Sequence, residues 1–222
     1  MNRSTIVQLV FEDLRNVKLP TLLFLGVGVV SLVTVVVFEY FLVPWADNLL
    51  LTNVIGVLAL SGMAGGGLVA LLNSTPGLGR EQALAKLIAR FTLFAGVWLM
   101  LLIGVLAVFF GEHGFAKGSA PMVSIILTGV LLAYTVILGV NVMTASKRYT
   151  IVALVVAIAC TSLYLNLFGQ SYFVSAFSGG SQIIWYSGAL DILLTQLACV
   201  VVFLFATIAG SIWMKAPNLG ES

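Results

Sequence analysis

Catalysis near neutral pH needs a nucleophile, a base or a metal held by several ligands, and this chain of 222 residues offers few candidates. Its single histidine, His113, sits in the turn Gly111-Glu112-His113-Gly114 beside one carboxylate. A lone exposed histidine is ordinarily structural or idle, and no second one exists to complete a zinc or haem constellation. Cys160 and Cys199 fall within apolar runs, where a thiol behaves as a small apolar side chain. The chain has no G-x-x-x-x-G-K loop followed by Ser or Thr, so it does not hydrolyse ATP by that route. No catalytic, metal-ligating or cofactor-binding residue is assigned, and the chain is not expected to be an enzyme.

The remaining polar groups suit other duties. Glu39 and Asp191 come near the outer ends of apolar runs, where a carboxylate reaches water. Asn53, Asn141 and Gln196 are placed to face the interior of a helix bundle. They either form interhelical hydrogen bonds, worth ~0.6 kcal/mol on average, or line a translocation path.

The elements that position these groups are membrane spans. Apolar runs occur at 21–43, 50–72, 91–111, 122–144, 151–168 and 190–214, close to the ~20 residues that cross ~30 Å of hydrocarbon. Hydrophobic residues make up 61% of the chain and charged ones 8%, against about 25% charged in an average soluble domain. Arg3, Arg15, Lys18, Arg80, Lys86, Arg90, Lys147, Arg148 and Lys215 fall on one side of a six-span arrangement, and Lys117 alone falls on the other. Basic residues are retained in the cytoplasm, so both termini are expected there, in a multi-pass protein of the cell (cytoplasmic) membrane. Residues 1–222 thus read as a single transmembrane domain, all-α and polytopic, with no room for a soluble catalytic domain. The basic residues are dispersed over four segments, which argues against a nucleic-acid partner.

Ile6, Val10, Leu14 and Val17 recur at helical spacing, with Arg3, Glu12, Asp13, Arg15 and Asn16 on a polar side. This predicts an amphipathic interfacial helix over 5–18, ended by Lys18-Leu19-Pro20. Gly62 and Gly66 form a G-x-x-x-G pair in the second span, a face for close helix packing within the chain or for a subunit interface. Between the second and third spans, Gln82, Lys86 and Arg90 align at i, i+4 while Leu84, Leu87 and Ile88 share the apolar side. A short surface helix over 80–90 is expected, either meeting anionic headgroups or docking a cytoplasmic protein. The uncharged, aromatic-rich stretch 169–189 predicts two short helices in a re-entrant-like outer hairpin before the last span.

In this order of parts the chain resembles the type-2 permease family of ATP-binding-cassette (ABC) transporters. The resemblance is carried by the entrance helix, the six spans, the stretch Thr75-Pro76-Gly77-Leu78-Gly79-Arg80 leading to Leu84-Ala85-Lys86-Leu87, the Ser146-Lys147-Arg148 turn and the apolar outer hairpin. Ala85 stands where the family usually has glycine. The resemblance implies a permease subunit of an ABC-type exporter that works as a dimer with a second copy in the lipid bilayer. A separate cytoplasmic nucleotide-binding ATPase would carry ATP and Mg and grip the coupling helix and adjoining turn at Arg80, Glu81, Lys86, Arg90, Lys147 and Arg148. The competing reading is a non-transporting membrane subunit that anchors or assembles a larger complex.

The charge asymmetry generates a topology test. Single cysteines introduced near Arg80, Lys147 and Lys117 in a Cys-less background should be labelled from outside only at the last. Outside labelling at either of the others would overturn the six-span arrangement.

Overall fold

The computed structural model describes residues 3–17, 19–41, 62, 65–67, 69, 79–113, 120–144, 146, 148–157, 159–160 and 186–213, and these are almost entirely helical, with no strand among them. The helices are α1 (Arg3–Arg15), α2 (Leu19–Phe41), α3 (Arg80–His113), α4 (Ala120–Thr144), α5 (Arg148–Ala157) and α6 (Tyr186–Trp213). Three of them, α3, α4 and α6, are long and apolar enough to cross a membrane. α5 is a shorter apolar helix. Asn53, Lys147 and hairpin residues 169–185 lie outside the described residues.

Each helix follows from local chemistry. α1 closes with the Asn16 amide donating to the Glu12 carbonyl at 3.0 Å and the Val17 amide to the Leu14 carbonyl at 3.2 Å, the second a tighter i→i+3 bond typical of a helix end. Pro20 then falls in the first turn of α2, where its missing N–H costs nothing. Within the apolar helices several hydroxyls donate one turn back to their own backbone, as hydroxyls do where other partners are lacking. Thr128 donates to the Ser124 carbonyl, Thr135 to Leu131, Thr207 to Phe203 and Ser211 to Thr207, all at 2.7 to 2.8 Å.

The sequence pattern divides 80–90 from 91–111, but α3 is one unbroken helix of 34 residues. Its length is about 51 Å at 1.5 Å per residue, some 20 Å more than a hydrocarbon core. The apolar run begins at Phe91, and Arg80, Glu81, Lys86 and Arg90 all fall in the three turns before it. Neither proline nor glycine stands between Arg80 and Ala95, so nothing there interrupts the backbone hydrogen bonding. His113 is the last residue of this helix.

The core is the seam between α3 and α4. Leu87, Phe94 and Leu101 recur every seven residues along α3, and Leu127, Leu131, Tyr134 and Leu138 at three- and four-residue steps along α4. That is the spacing of helices crossing at a shallow angle. α4 and α6 lie close through small residues. A methyl group at Gly139 would stand 2.7 Å from Thr207 Oγ1, one at Gly210 would strike Met143, and Gly129 faces Gln196. These pairs differ by a nearly constant 67 or 68 positions, so α4 and α6 run in the same direction. The outward surface is apolar: Val202, Phe205 and Trp213 of α6, Val152 and Val155 of α5 and Leu22 and Leu23 of α2 are all exposed. Such a surface is compatible with hydrocarbon and unfavourable in water.

The helical residues at 65–67 include two adjacent glycines with different neighbours. A methyl group at Gly66 would lie 2.6 Å from the Leu25 side chain of α2, and one at Gly67 would lie 2.5 Å from Phe94 and 2.9 Å from Tyr134. Gly62 is also buried. Gly26 and Gly96 have nothing within 4 Å of such a methyl group. Gly67→Ala is therefore expected to destabilise the purified protein by about 1–3 kcal/mol through overpacking, whereas Gly26→Ala or Gly96→Ala should be neutral or add up to about 1 kcal/mol by helix propensity. Thermal unfolding in detergent checks the sign, and equal behaviour at Gly67 and Gly96 would contradict this packing.

Candidate functional site

Polar chemistry concentrates where α1 meets the start of α3. Arg90 Nη2 donates to Asp13 Oδ1 at 3.0 Å, and Nε lies 2.7 Å from Oδ2, the shorter approach being an ion pair whose N–H is off the line to the oxygen. The Arg90 side chain is only 5% exposed and that of Asp13 21%. A guanidinium so deeply buried is stable as a charge only beside an anion, because desolvation penalises it strongly. One turn further on, Phe94 stacks on Tyr134 of α4 with ring centroids 3.7 Å apart and planes at 10°. The Tyr134 hydroxyl donates back to the Arg90 carbonyl in a long bond of 3.4 Å.

The faces of α3 fall differently from the sequence pattern. Gln82 is exposed, but Lys86 and Arg90, which share its i, i+4 stripe, are turned inward, while Ile88 is 45% exposed. Leu84 and Leu87 are buried as the apolar pattern implies. The neighbour on that side is α1: its carboxylate compensates the Arg90 charge, which burial would otherwise penalise, so the stripe can face inward. Ile88 is left on the outer face, as are Val7 and Phe11 of α1, which are 52% and 68% exposed. Arg80 remains exposed and Glu81 half-buried.

The Ser146-Lys147-Arg148 turn is held by side chains on both sides. Asn141 Nδ2 donates to Thr150 Oγ1 at 2.8 Å, and that hydroxyl donates to the Ser146 carbonyl at 2.9 Å. The Thr150 amide also donates to Ser146, at 3.1 Å. Asn141 is thus engaged in tying α4 to α5, and Arg148 stands exposed at the first position of α5. Gln196 lies at the α4–α6 contact with Oε1 buried and unpartnered among the described residues, as are Trp98 Nε1 and Ser124 Oγ. Cys160 is exposed and Cys199 half-buried, both as free thiols. Among the described residues no three His, Cys, Asp or Glu side chains gather as a metal site would require.

Asp13, Tyr134 and Gly67 take part in this packed junction, and sequence patterning does not single them out for it. Asp13 carries one signal, being with its neighbour Glu12 one of the two acids of an amphipathic helix that also has two arginines. Tyr134 and Gly67 carry none, since an aromatic and a glycine are ordinary in an apolar span. The chain matches no family model, no curated protein and no solved structure.

Burial pushes the Lys86 ammonium down to about 8 from 10.5, Asp13 opposing the shift and Arg90 adding to it. This residue precedes the apolar run, in the charged first turns of α3. The unfolded chain binds the extra proton between pH 8 and 10.5 and the folded one does not, so this group's contribution to stability rises with pH across that window. Lys86→Met is expected to remove that slope. An unchanged difference between variant and native melting midpoints from pH 8 to 10.5 would contradict it.

Proposed function

We propose that the chain is the membrane-spanning permease subunit of an ABC-type exporter, working as a dimer beside a separate cytoplasmic ATPase that binds ATP and Mg. The observation that carries this reading is the build of α3. Its charged start and its apolar span are one continuous helix, so a load applied at residues 80–90 moves a spanning element directly. A headgroup-binding helix needs no such rigidity. The Asn141–Thr150–Ser146 tie gives the second cytoplasmic turn the same character, presenting Arg148 at a fixed place. Arg80 and Arg148, both exposed, then form the face that meets the ATPase, with Glu81 beside Arg80 in the chain, while Arg90 holds the start of α3 to α1. Gln196 is the buried polar group best placed to line a translocation path between α4 and α6, the conduit of the exported substrate.

The experiment follows from the division between exposed and buried cations. Arg80→Glu with Arg148→Glu should reduce recovery of a nucleotide-binding protein in a pull-down, or abolish its stimulation, while insertion is unaffected because Arg3, Arg15, Lys18 and Lys147 still set orientation. If the native chain recovers no nucleotide-binding protein while its other partners stay bound, the permease reading falls and the assembly-subunit reading takes its place.

A further inference from the structure

Four helices meet within two turns of α3. Asp13 of α1 holds the Arg90 side chain, and Tyr134 of α4 bonds the Arg90 carbonyl and stacks on Phe94. Both rings fill the space beside Gly67. Phe94 is among the largest fully buried side chains, and Tyr134 is 5% exposed. A close-packed stack against bare backbone leaves no void in which a displacement of α3 can be absorbed.

We propose that the junction of Asp13, Arg90, Phe94, Tyr134 and Gly67 is a relay: a displacement at the charged start of α3 passes through the stacked rings to α4 and the second span, and Asp13 latches α1 into the same moving body. The source of that displacement is the ATPase of the permease reading, on which this inference rests. Asp13 is a positioning residue here, acting through Arg90. Gly67 sets the contact distance, because any side chain there would hold the second span away from the rings. The two residues lie on different helices, and their connection runs through Arg90, Phe94 and Tyr134. Without the relay, the junction is a local brace and the two positions act independently.

The test uses the full chain in lipid nanodiscs, alone and with its ATPase. Asp13→Asn and Gly67→Ala are made singly and together, and a relay makes their shifts in melting midpoint non-additive, whereas independent sites add. Phe94→Leu replaces Gly67→Ala if the latter does not fold. Additive shifts overturn the relay. In the complex, Asp13→Asn is expected to keep the ATPase bound but lower its stimulation by the chain on the order of tenfold, the usual scale of coupling between sites. The exchanged pair, Asp13→Arg with Arg90→Asp, should restore stimulation. Native stimulation in Asp13→Asn overturns the relay even if the variant is less stable. If the native chain binds no ATPase, the permease reading fails and the relay falls with it; a native complex with unchanged stimulation in Asp13→Asn overturns the relay alone.

Discussion

The buried ion pair between Asp13 and Arg90 sets the geometry of the structure's charged end. Removing either partner of such a pair leaves an uncompensated charge and typically costs about 3–5 kcal/mol, whereas the intact pair itself adds little net stability. Its value is therefore orientational. By drawing Arg90 inward it fixes the rotation of α3, which determines that Ile88 and Arg80 face outward, that Leu87, Phe94 and Leu101 face α4, and that α1 lies against the start of α3.

From that rotation the packing of the bundle follows. Phe94 comes to lie against Tyr134, and the two rings occupy the space that glycine leaves at position 67. Further along α4, Gly139 admits Thr207 and Met143 covers Gly210, so α6 runs alongside with its backbone close to that of α4. Contacts of this kind rely on shape more than on hydrophobic driving force, as expected for helices whose outer faces are themselves apolar. The polar atoms that remain inside are mostly bonded to their own helices, with Asn141 reaching across the turn to Thr150.

These features tie the charged end of the described helices together through side chains. α1, the first turns of α3 and the turn between α4 and α5 are each tied by side chains to a neighbouring element. Under the proposed permease reading this is a requirement: the surface that receives force must not yield independently of the spans. An anchoring subunit needs a stable surface too, but it does not need that surface to be continuous with a spanning helix.

Much of the architecture is legible in the residues alone, for reasons that are local. Hydrophobic length and the absence of charge mark α3, α4 and α6 as helices able to span a membrane, and Pro20 marks the boundary between α1 and α2, because transfer energy and backbone sterics depend on little beyond the segment itself. The continuity of α3 was also in reach, since no helix breaker separates Arg90 from Phe91, but the change in polarity there reads as an element boundary. Tertiary structure alone decided which side of that helix is interior. The stripe Gln82, Lys86, Arg90 is polar by sequence, yet two of its three members are buried because a carboxylate 77 residues away in the chain meets Arg90. It also decided that Gly66 serves α2 while Gly67 serves α3 and α4, and that Asn141 ties a turn. A residue's type limits what it can do, but the face it presents is set by the helix packed against it, and that neighbour is not encoded in the local pattern.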